Sequence, residues 1–357
     1  MIRKFINLYR RVQYKVFGRQ LYGCMPQGEL CSHTPFEEEV NHGDVVHPCV
    51  RYIPEGYLGH KWWMVYTPYY AANDKTENPI LCYGELDNTA TPTHWIVAYQ
   101  VQGQPKRGYN SDPTLFYDNG TMYVMWRENL TNRCDNAGFI RATFGAEVHK
   151  DGIGDVFGPL VGTTDMEDDN EVSPTFIKTK EGKYRCYAMH LRFHSPFIQK
   201  CSPRLKQILT KVSTITDIFG VWSQQKGYGY AIWESDDIKQ PFKYICTKKF
   251  KNCNKLYRPW HMDLFEHSNK LYAVVQTNQC NADICLAVSY DTIEFRMANT
   301  ALITNDSIDK LGIYKPTIAC VDDVIYLYYT AQDVDNRSLN KLYLTTTEFK
   351  TLMKQIL

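Results

Sequence analysis

The sequence predicts an all-β chain folded as a five-bladed β-propeller, and three observations predict it. A short hairpin pattern recurs five times along the 357 residues. Four of the five copies open on a Pro, and every copy turns on Gly, Asn or Asp. The second strand of each copy carries a Tyr or Trp at the same place. Each repeat of 50 to 90 residues is a small meander that cannot bury both faces alone, so the sheets must pack against one another around an axis. An irregular β-sandwich is the alternative to this reading.

The copies run in order. The first is His47-Pro48-Cys49-Val50-Arg51-Tyr52, a turn over 54–59, and Lys61-Trp62-Trp63-Met64-Val65-Tyr66-Thr67. The second, Asn110-Ser111-Asp112-Pro113 through Asp118-Asn119-Gly120 to Trp126-Arg127-Glu128, shows the grammar most plainly: a Pro-opened strand, an Asn-Gly turn and an aromatic-rich return. The third is Ser173-Pro174-Thr175 to His190, the fourth Trp260-His261-Met262-Asp263 to Gln276, and the fifth Tyr314-Lys315-Pro316 to Thr330. Third strands are expected from Glu77-Asn78-Pro79 or over Asp87 to Trp95 after the first copy, around Trp233 after the third and around Val288 after the fourth.

Two segments outside the repeat have helical periodicity. In residues 1–22, Ile2, Phe5, Ile6, Tyr9, Val12, Val16 and Phe17 share one face and Arg3, Lys4, Arg10, Arg11, Lys15 and Arg19 the other. Such a basic amphipathic helix lies on an anionic membrane surface, docks on a partner, or covers its own propeller. Residues 196–222 read as a helical insertion in blade three, and the tail 348–357 as a closing helix. The expected division is a lead-in over 1–42, the propeller over 43–347, and the tail.

Composition narrows the class. Aromatic residues make up 14% and the net charge is +1, which suits a wet aromatic cleft and argues against a nucleic-acid binder. The 12 cysteines show no Cys-x-x-Cys pair, and many fall inside strands, so neither a zinc module nor a disulfide framework is expected. With no signal peptide or spanning segment visible, the expected setting is cytoplasmic, peripheral to the membrane if the basic helix binds there. The Asn119 and Asn129 acceptor triplets read as turn chemistry.

In a propeller the starts of first strands and the ends of second strands converge on one funnel. Those positions hold His47, Tyr66 and Glu77 in blade one, Asp112, Arg127 and Glu128 in blade two, and Ser173, His190 and Arg192 in blade three. His261, Asp263 and Gln276 follow in blade four, and Lys315, Tyr328 and Asp333 in blade five. Polar groups facing a narrow axis are costly to desolvate unless they meet a ligand, water or one another. Paired carboxylates point to glycosidic chemistry, one acid protonating the leaving oxygen while another activates water. Asp112 is the base candidate, with Glu128 and Asp263 as acid or pKa-tuning partners. His47, Tyr66, Glu77, Arg127, His190, Arg192, His261 and Lys315 are the substrate-binding candidates. Trp62, Trp63, Trp126 and Trp260 are candidates for stacking on sugar rings, although alternate aromatics in strands usually build core. No metal ligands at local spacing and no cofactor are expected.

His47-Pro48, the run Trp63 to Tyr69 with Glu77-Asn78-Pro79, Asn110-Ser111-Asp112-Pro113, Trp260 to Asp263 and the Tyr314–Tyr329 hairpin resemble the five-bladed propeller superfamily of arabinanases, fructosidases and mannoside phosphorylases. The resemblance spans about residues 43–347 and implies an oligosaccharide or polysaccharide substrate. It matches Asp112 to the superfamily's second-blade Asp-Pro, and places His47 where the first blade typically presents an Asp. That departure puts the usual hydrolytic base in question, or makes His47 an acid/base group. The leading expectation is a carbohydrate-active enzyme that cleaves a glycosidic bond. A glycosyltransferase or phosphorylase on the same scaffold and a non-catalytic glycan-binding propeller are the alternatives.

Overall fold

The computed structural model describes residues 23–26, 28–33, 44–70, 73–84, 93–103, 105, 108–131, 139–164, 169–192, 202, 205, 229–253, 259–277, 283–304, 313–332 and 340–356. The predicted N-terminal helix, nearly all of the blade-three insertion, Asp333 and the side chain of Arg192 lie outside them.

A two-strand lead-in, β1 (Glu29–Leu30) and β2 (Ser32–His33), precedes five sheets. Blade one is β3 (Val46–Tyr57), β4 (His60–Thr67), β5 (Ile80–Gly84) and β6 (His94–Gln100). Blade two is β7 (Tyr109–Asp118), β8 (Thr121–Thr131) and β9 (Phe139–His149), with β10 (Gly152–Ile153) and β11 (Phe157–Thr164) both pairing to β9. Blade three is β12 (Asp169–Lys178), β13 (Tyr184–Arg192), β14 (Gly229–Ser235) and β15 (Lys243–Lys248). Blade four is β16 (Pro259–His267), β17 (Lys270–Thr277), β18 (Asp283–Ser289) and β19 (Arg296–Ile303). Blade five is β20 (Ile313–Val321), β21 (Val324–Gln332) and β22 (Asn340–Glu348), followed by helix α1 (Phe349–Ile356). The third strand of blade one is thus the continuously apolar Ile80–Gly84, not Asp87 to Trp95; Trp95 belongs to the fourth.

The first strands close a ring: β3 packs on β7, β7 on β12, β12 on β16, β16 on β20, and β20 on β3. Four of the five first hairpins are two-residue turns with both φ positive, at Leu58-Gly59, Asn119-Gly120, Ser268-Asn269 and Asp322-Asp323. That geometry follows the right-handed twist of the strands, and Asn, Asp and Gly tolerate it best.

Five apolar clusters fill the five inter-blade interfaces. Because side chains alternate along a strand, adjacent residues serve different interfaces. Trp62 and Tyr66 pack with Tyr326 and Tyr328 between blades five and one, while Trp63 joins Leu115, Val124 and Trp126 between blades one and two. Trp62, Trp63 and Trp126 are therefore core, not sugar platforms, and so are the side chains of Tyr66 and Tyr328.

The lead-in closes the ring from outside. β1 pairs with β22 as the fourth strand of blade five, β2 pairs in parallel with β6 of blade one, and the Cys24 and Met25 amides donate to Ala301 and Leu302 of blade four. Gly28 lies at the tightest point of β1's approach: its amide donates to the Tyr329 hydroxyl, and a Cβ there would sit 2.8 Å from the Leu344 carbonyl oxygen. Gly28→Ala should lower unfolding stability by about 1–3 kcal/mol, the ordinary cost of overpacking. An unchanged denaturant midpoint would show that the strap contributes nothing to closure.

Candidate functional site at the mouth of the ring

All five first strands carry a bulge at the same level. The register slips between Val46 and Cys49, Ser111 and Thr114, Val172 and Thr175, Pro259 and His261, and Tyr314 and Pro316. In blades one to three the bulged residue precedes Pro and has a left-handed backbone: His47 at φ 52°, Asp112 at 48° and Ser173 at 54°. Pro cannot continue the ladder and a bulge re-aims a side chain, so each X-Pro pair turns its first residue onto the axis. Non-Gly residues held there store strain of the kind found at functional sites.

His47, Asp112 and His261 meet at this level. One ligating atom from each lies within 4.8 Å of the others, and all three residues are buried. His47 Nε2 is 3.7 Å and His261 Nδ1 3.5 Å from Asp112 Oδ1. The other oxygen, Oδ2, takes a 2.8 Å ion pair from Arg127. Ser173 Oγ sits 2.5 Å from His261 Nδ1 and donates to Asp112 Oδ1 at 3.3 Å, while Lys315 Nζ stands 4.0 Å from the same oxygen.

Second partners orient these groups. His47 Nδ1 faces Glu77 Oε2 at 3.1 Å and Thr67 Oγ1 at 3.0 Å, and Nε2 is 3.2 Å from the Tyr314 hydroxyl. The Trp260 side chain hydrogen-bonds that hydroxyl, which leaves the phenolic proton for His47 Nε2. A tautomer with Nδ1–H directed at Thr67 Oγ1 and a lone pair on Nε2 satisfies the Thr67 and Tyr314 contacts, with Glu77 Oε2 alongside Nδ1.

The electrostatics follow from burial against charge. For Asp112 burial opposes ionisation, but Arg127, with His47, His261 and Lys315, holds the carboxyl far below the usual carboxylate range. Burial is the largest influence on His261 and keeps its imidazole neutral well below the ordinary pKa. Burial also raises Glu77, only partly offset by His47, and raises the Tyr314 phenol strongly. Lys315 is lowered by burial despite Asp112.

Of the residues expected at the funnel, Asp112, His47, Glu77, Arg127, Ser173, His261 and Lys315 are brought together. Glu128 is half-buried on the opposite face of β8 from Arg127. Asp263 is buried two residues below His261, where Arg51 pairs with it at 2.7 Å. His190 pairs with Glu171 at 3.1 Å, beside the Glu171 carbonyl that accepts from Arg127. Gln276 is buried and donates to the Ile313 carbonyl. Residues missed in the sequence are Tyr314, Thr67 and Arg51. Tyr314 was hidden because it precedes the Lys315-Pro316 pair by one residue, and the pair alone carried the signal.

The donor set can hold a divalent cation. Two imidazoles and a carboxylate are the ligands of three-coordinate catalytic sites with an open position, and bound at about 2.0–2.2 Å they would draw only slightly closer than they stand. Two further observations fit: His261 is neutral, and the His47 nitrogen away from Asp112 faces a carboxylate at 3.1 Å. A serine nucleophile fits less well, since Ser173 and Asp112 share one nitrogen of His261 and leave the other without a partner.

Half-buried Tyr69, Tyr109, Trp260 and Tyr314 surround this cluster; Tyr69 and Tyr109 sense Glu77, and Tyr314 senses both Glu77 and Asp112. Among the described residues no helix is long and apolar enough to cross a membrane.

No family model matches the chain, and no curated protein matches it. Among solved structures it is similar to an N-acetylgalactosamine deacetylase from F. plautii in complex with blood group B trisaccharide, at 14% identity over 95% of this chain and 98% of that one, with a TM-score of 0.69. A GH43_1 enzyme from Xanthomonas citri complexed with xylose matches at 12% identity, 85% and 88% coverage, and a TM-score of 0.53. An exo-1,5-alpha-L-arabinanase from a bovine ruminal metagenomic library matches at 13%, 84% and 92%, and 0.53. What the chain shares with them at such identities is the fold, a five-bladed β-propeller.

Proposed function

We propose that this chain is a carbohydrate-active hydrolase that removes an acyl substituent from a sugar, with a divalent cation held by His47, Asp112 and His261. The observation that carries the reading is the meeting of those three buried donors, from three different blades, at one mouth. A cation bound there would polarise a carbonyl and acidify a bound water.

The chain's own residues supply the rest. Hydrolysis joins the oxygen of water to the acyl carbon, breaks the bond to the sugar nitrogen or oxygen, and returns a proton to that leaving atom. Thr67 and Glu77 both face Nδ1 of His47, so a proton held there leaves the lone pair on Nε2. Arg127 fixes the Asp112 carboxylate by its second oxygen. With His47 Nε2 turned to a cation, the hydroxyl proton of Tyr314, kept in place by its raised pKa, would be free to stabilise a carbonyl oxygen as it gains charge. The half-buried aromatics offer apolar faces to a sugar ring with polar edges in reach. Likeness to a protein described as an N-acetylgalactosamine deacetylase, over nearly the full length of both chains, supports this choice of bond.

Cleavage of a glycosidic bond is the second reading. It is favoured by the fold shared with the xylose-bound enzyme and the arabinanase, and by two carboxylates, Glu77 and Asp112, in one cluster. Against it, Glu128 and Asp263 do not join that cluster, and an imidazole rather than an acid opens blade one. Buried thiols at Cys49 and Cys186 agree with a reducing compartment.

The test is an assay of acetate release from N- and O-acetylated sugars, beside a glycoside panel, before and after chelation and reloading with Zn²⁺, Mn²⁺ or Co²⁺. Deacetylation should vanish on chelation and return with metal. Tyr314→Phe should lower kcat by about 10²–10³-fold with little change in KM. Glycoside turnover indifferent to chelation would replace this reading with the second.

A further inference from the structure

Directly beneath the mouth lies a second polar layer that the proposed reaction does not use. On β16, Asp263 is two residues on from His261 and therefore on the same axial face. Its carboxylate receives a bidentate pair from Arg51, with NH1 at 2.8 Å and NH2 at 2.7 Å. It also accepts from Thr175 Oγ1 at 3.2 Å, Thr317 Oγ1 at 2.6 Å and the Ile318 amide at 3.3 Å. Arg51 in turn donates from Nε to the Leu115 carbonyl at 3.1 Å.

These contacts tie together every blade. Arg51 belongs to blade one, Leu115 to blade two, Thr175 to blade three, Asp263 to blade four, and Thr317 and Ile318 to blade five. Thr175, Asp263 and Thr317 each stand two residues beyond an axial residue of the mouth, namely Ser173, His261 and Lys315. Thr114 and Cys49 hold the matching positions after Asp112 and His47, and their side chains meet at 3.4 Å.

We infer that Arg51 and Asp263 form a clasp across all five blades whose task is to set the spacing of His47, Asp112 and His261, so that both are positioning residues for the mouth. Packing apolar side chains between blades leaves the inner strands free to slide and splay by small amounts. A bidentate ion pair with directional hydrogen bonds removes that freedom at the level next to the donors. The inference rests on the reading of the mouth as a metal site only for its affinity readout.

The experiment is a double-variant cycle of Arg51→Met and Asp263→Asn, with Thr317→Val as a milder lesion that removes one hydrogen bond. In the metal-free protein the imidazole ¹⁵N resonances of His47 and His261 are followed by NMR, and Zn²⁺ affinity and kcat are then measured on folded protein. Each single variant should shift both imidazoles, weaken Zn²⁺ binding and lower kcat by about 10–100-fold with KM little changed. The double variant should recover part of that loss, since neither charge is then buried alone. If Arg51→Met does not fold, Thr317→Val should show the same shifts at smaller amplitude. Imidazole resonances and kcat at wild-type values in folded single variants, or in Thr317→Val alone, would overturn the clasp. Wild-type protein that binds no Zn²⁺ would instead defeat the proposed metal site, and the imidazole shifts would still decide the clasp.

Discussion

Asp112→Asn should reduce turnover by about 10³-fold or more, because one carboxylate is the proposed cation ligand, the partner of Arg127 and the negative centre of a cluster rich in donors. The amide keeps the shape and removes the charge. Zn²⁺ binding measured by calorimetry should be lost in parallel with activity. A stability effect accompanies it, since Arg127 would be left as a buried charge without its carboxylate, at a cost of about 3–5 kcal/mol. Activity must therefore be scored per folded molecule, by circular dichroism on the same samples. If turnover falls only as far as the folded fraction does, Asp112 is a structural ion-pair partner and the mouth needs another centre. Metal binding that survives while activity is lost would move Asp112 from ligand to proton acceptor.

The second large effect is on stability against pH, measured with chelator present. His261 has a folded pKa well below its unfolded value of about 6.5, because burial disfavours the imidazolium. Between those two values the unfolded chain binds one more proton than the folded one, so stability rises with pH. The contribution is complete above about pH 6.5 and is lost on acidification at about 1.4 kcal/mol per pH unit. Asp112 and Asp263 act in the same direction lower down, since their folded pKa values are depressed. Their contribution is full above about pH 3.9 and falls as pH drops below it. Glu77 has the opposite sign: its raised folded pKa gives stability that is present below about pH 4.3 and lost as pH rises through the folded value. Urea midpoints should accordingly fall between pH 7 and pH 5, and His261→Gln should flatten that slope. An equal slope in wild type and variant would mean that His261 is not held neutral by burial.

Much of the fold could be read directly from residue order. The hairpin turns were visible because Asn-Gly and Asp-Asp pairs supply the positive φ that a two-residue β-turn requires. The blade count was visible because X-Pro at His47, Asp112, Ser173 and Lys315 marks the bulge in four first strands and the hairpin from Trp260 to Gln276 repeats the pattern in the other. Of the two places the sequence offers for the third strand of blade one, the start at Glu77-Asn78-Pro79 leads into Ile80–Gly84 and the stretch Asp87 to Trp95 does not hold it; a short apolar run without alternation left periodicity unable to choose. Trp62, Trp63 and Trp126 illustrate the same limit: a Trp on a strand reads alike whether it faces a neighbouring blade or a ligand, and here all three face neighbouring blades.

For the site, the order of residues by itself marked His47, Asp112, Ser173 and Lys315 as positions that reach the axis, since an X-Pro bulge is a local property of each strand. What only the closed ring decided is which of those positions share a level. Asp263 and His261 differ by two residues and so by one layer, about 6.6 Å of strand rise, which puts one in the clasp and the other in the mouth. Glu128 and Arg127 differ by one residue and so by a face of the sheet. Distances between side chains on different blades depend on how five sheets pack, and no local pattern encodes them.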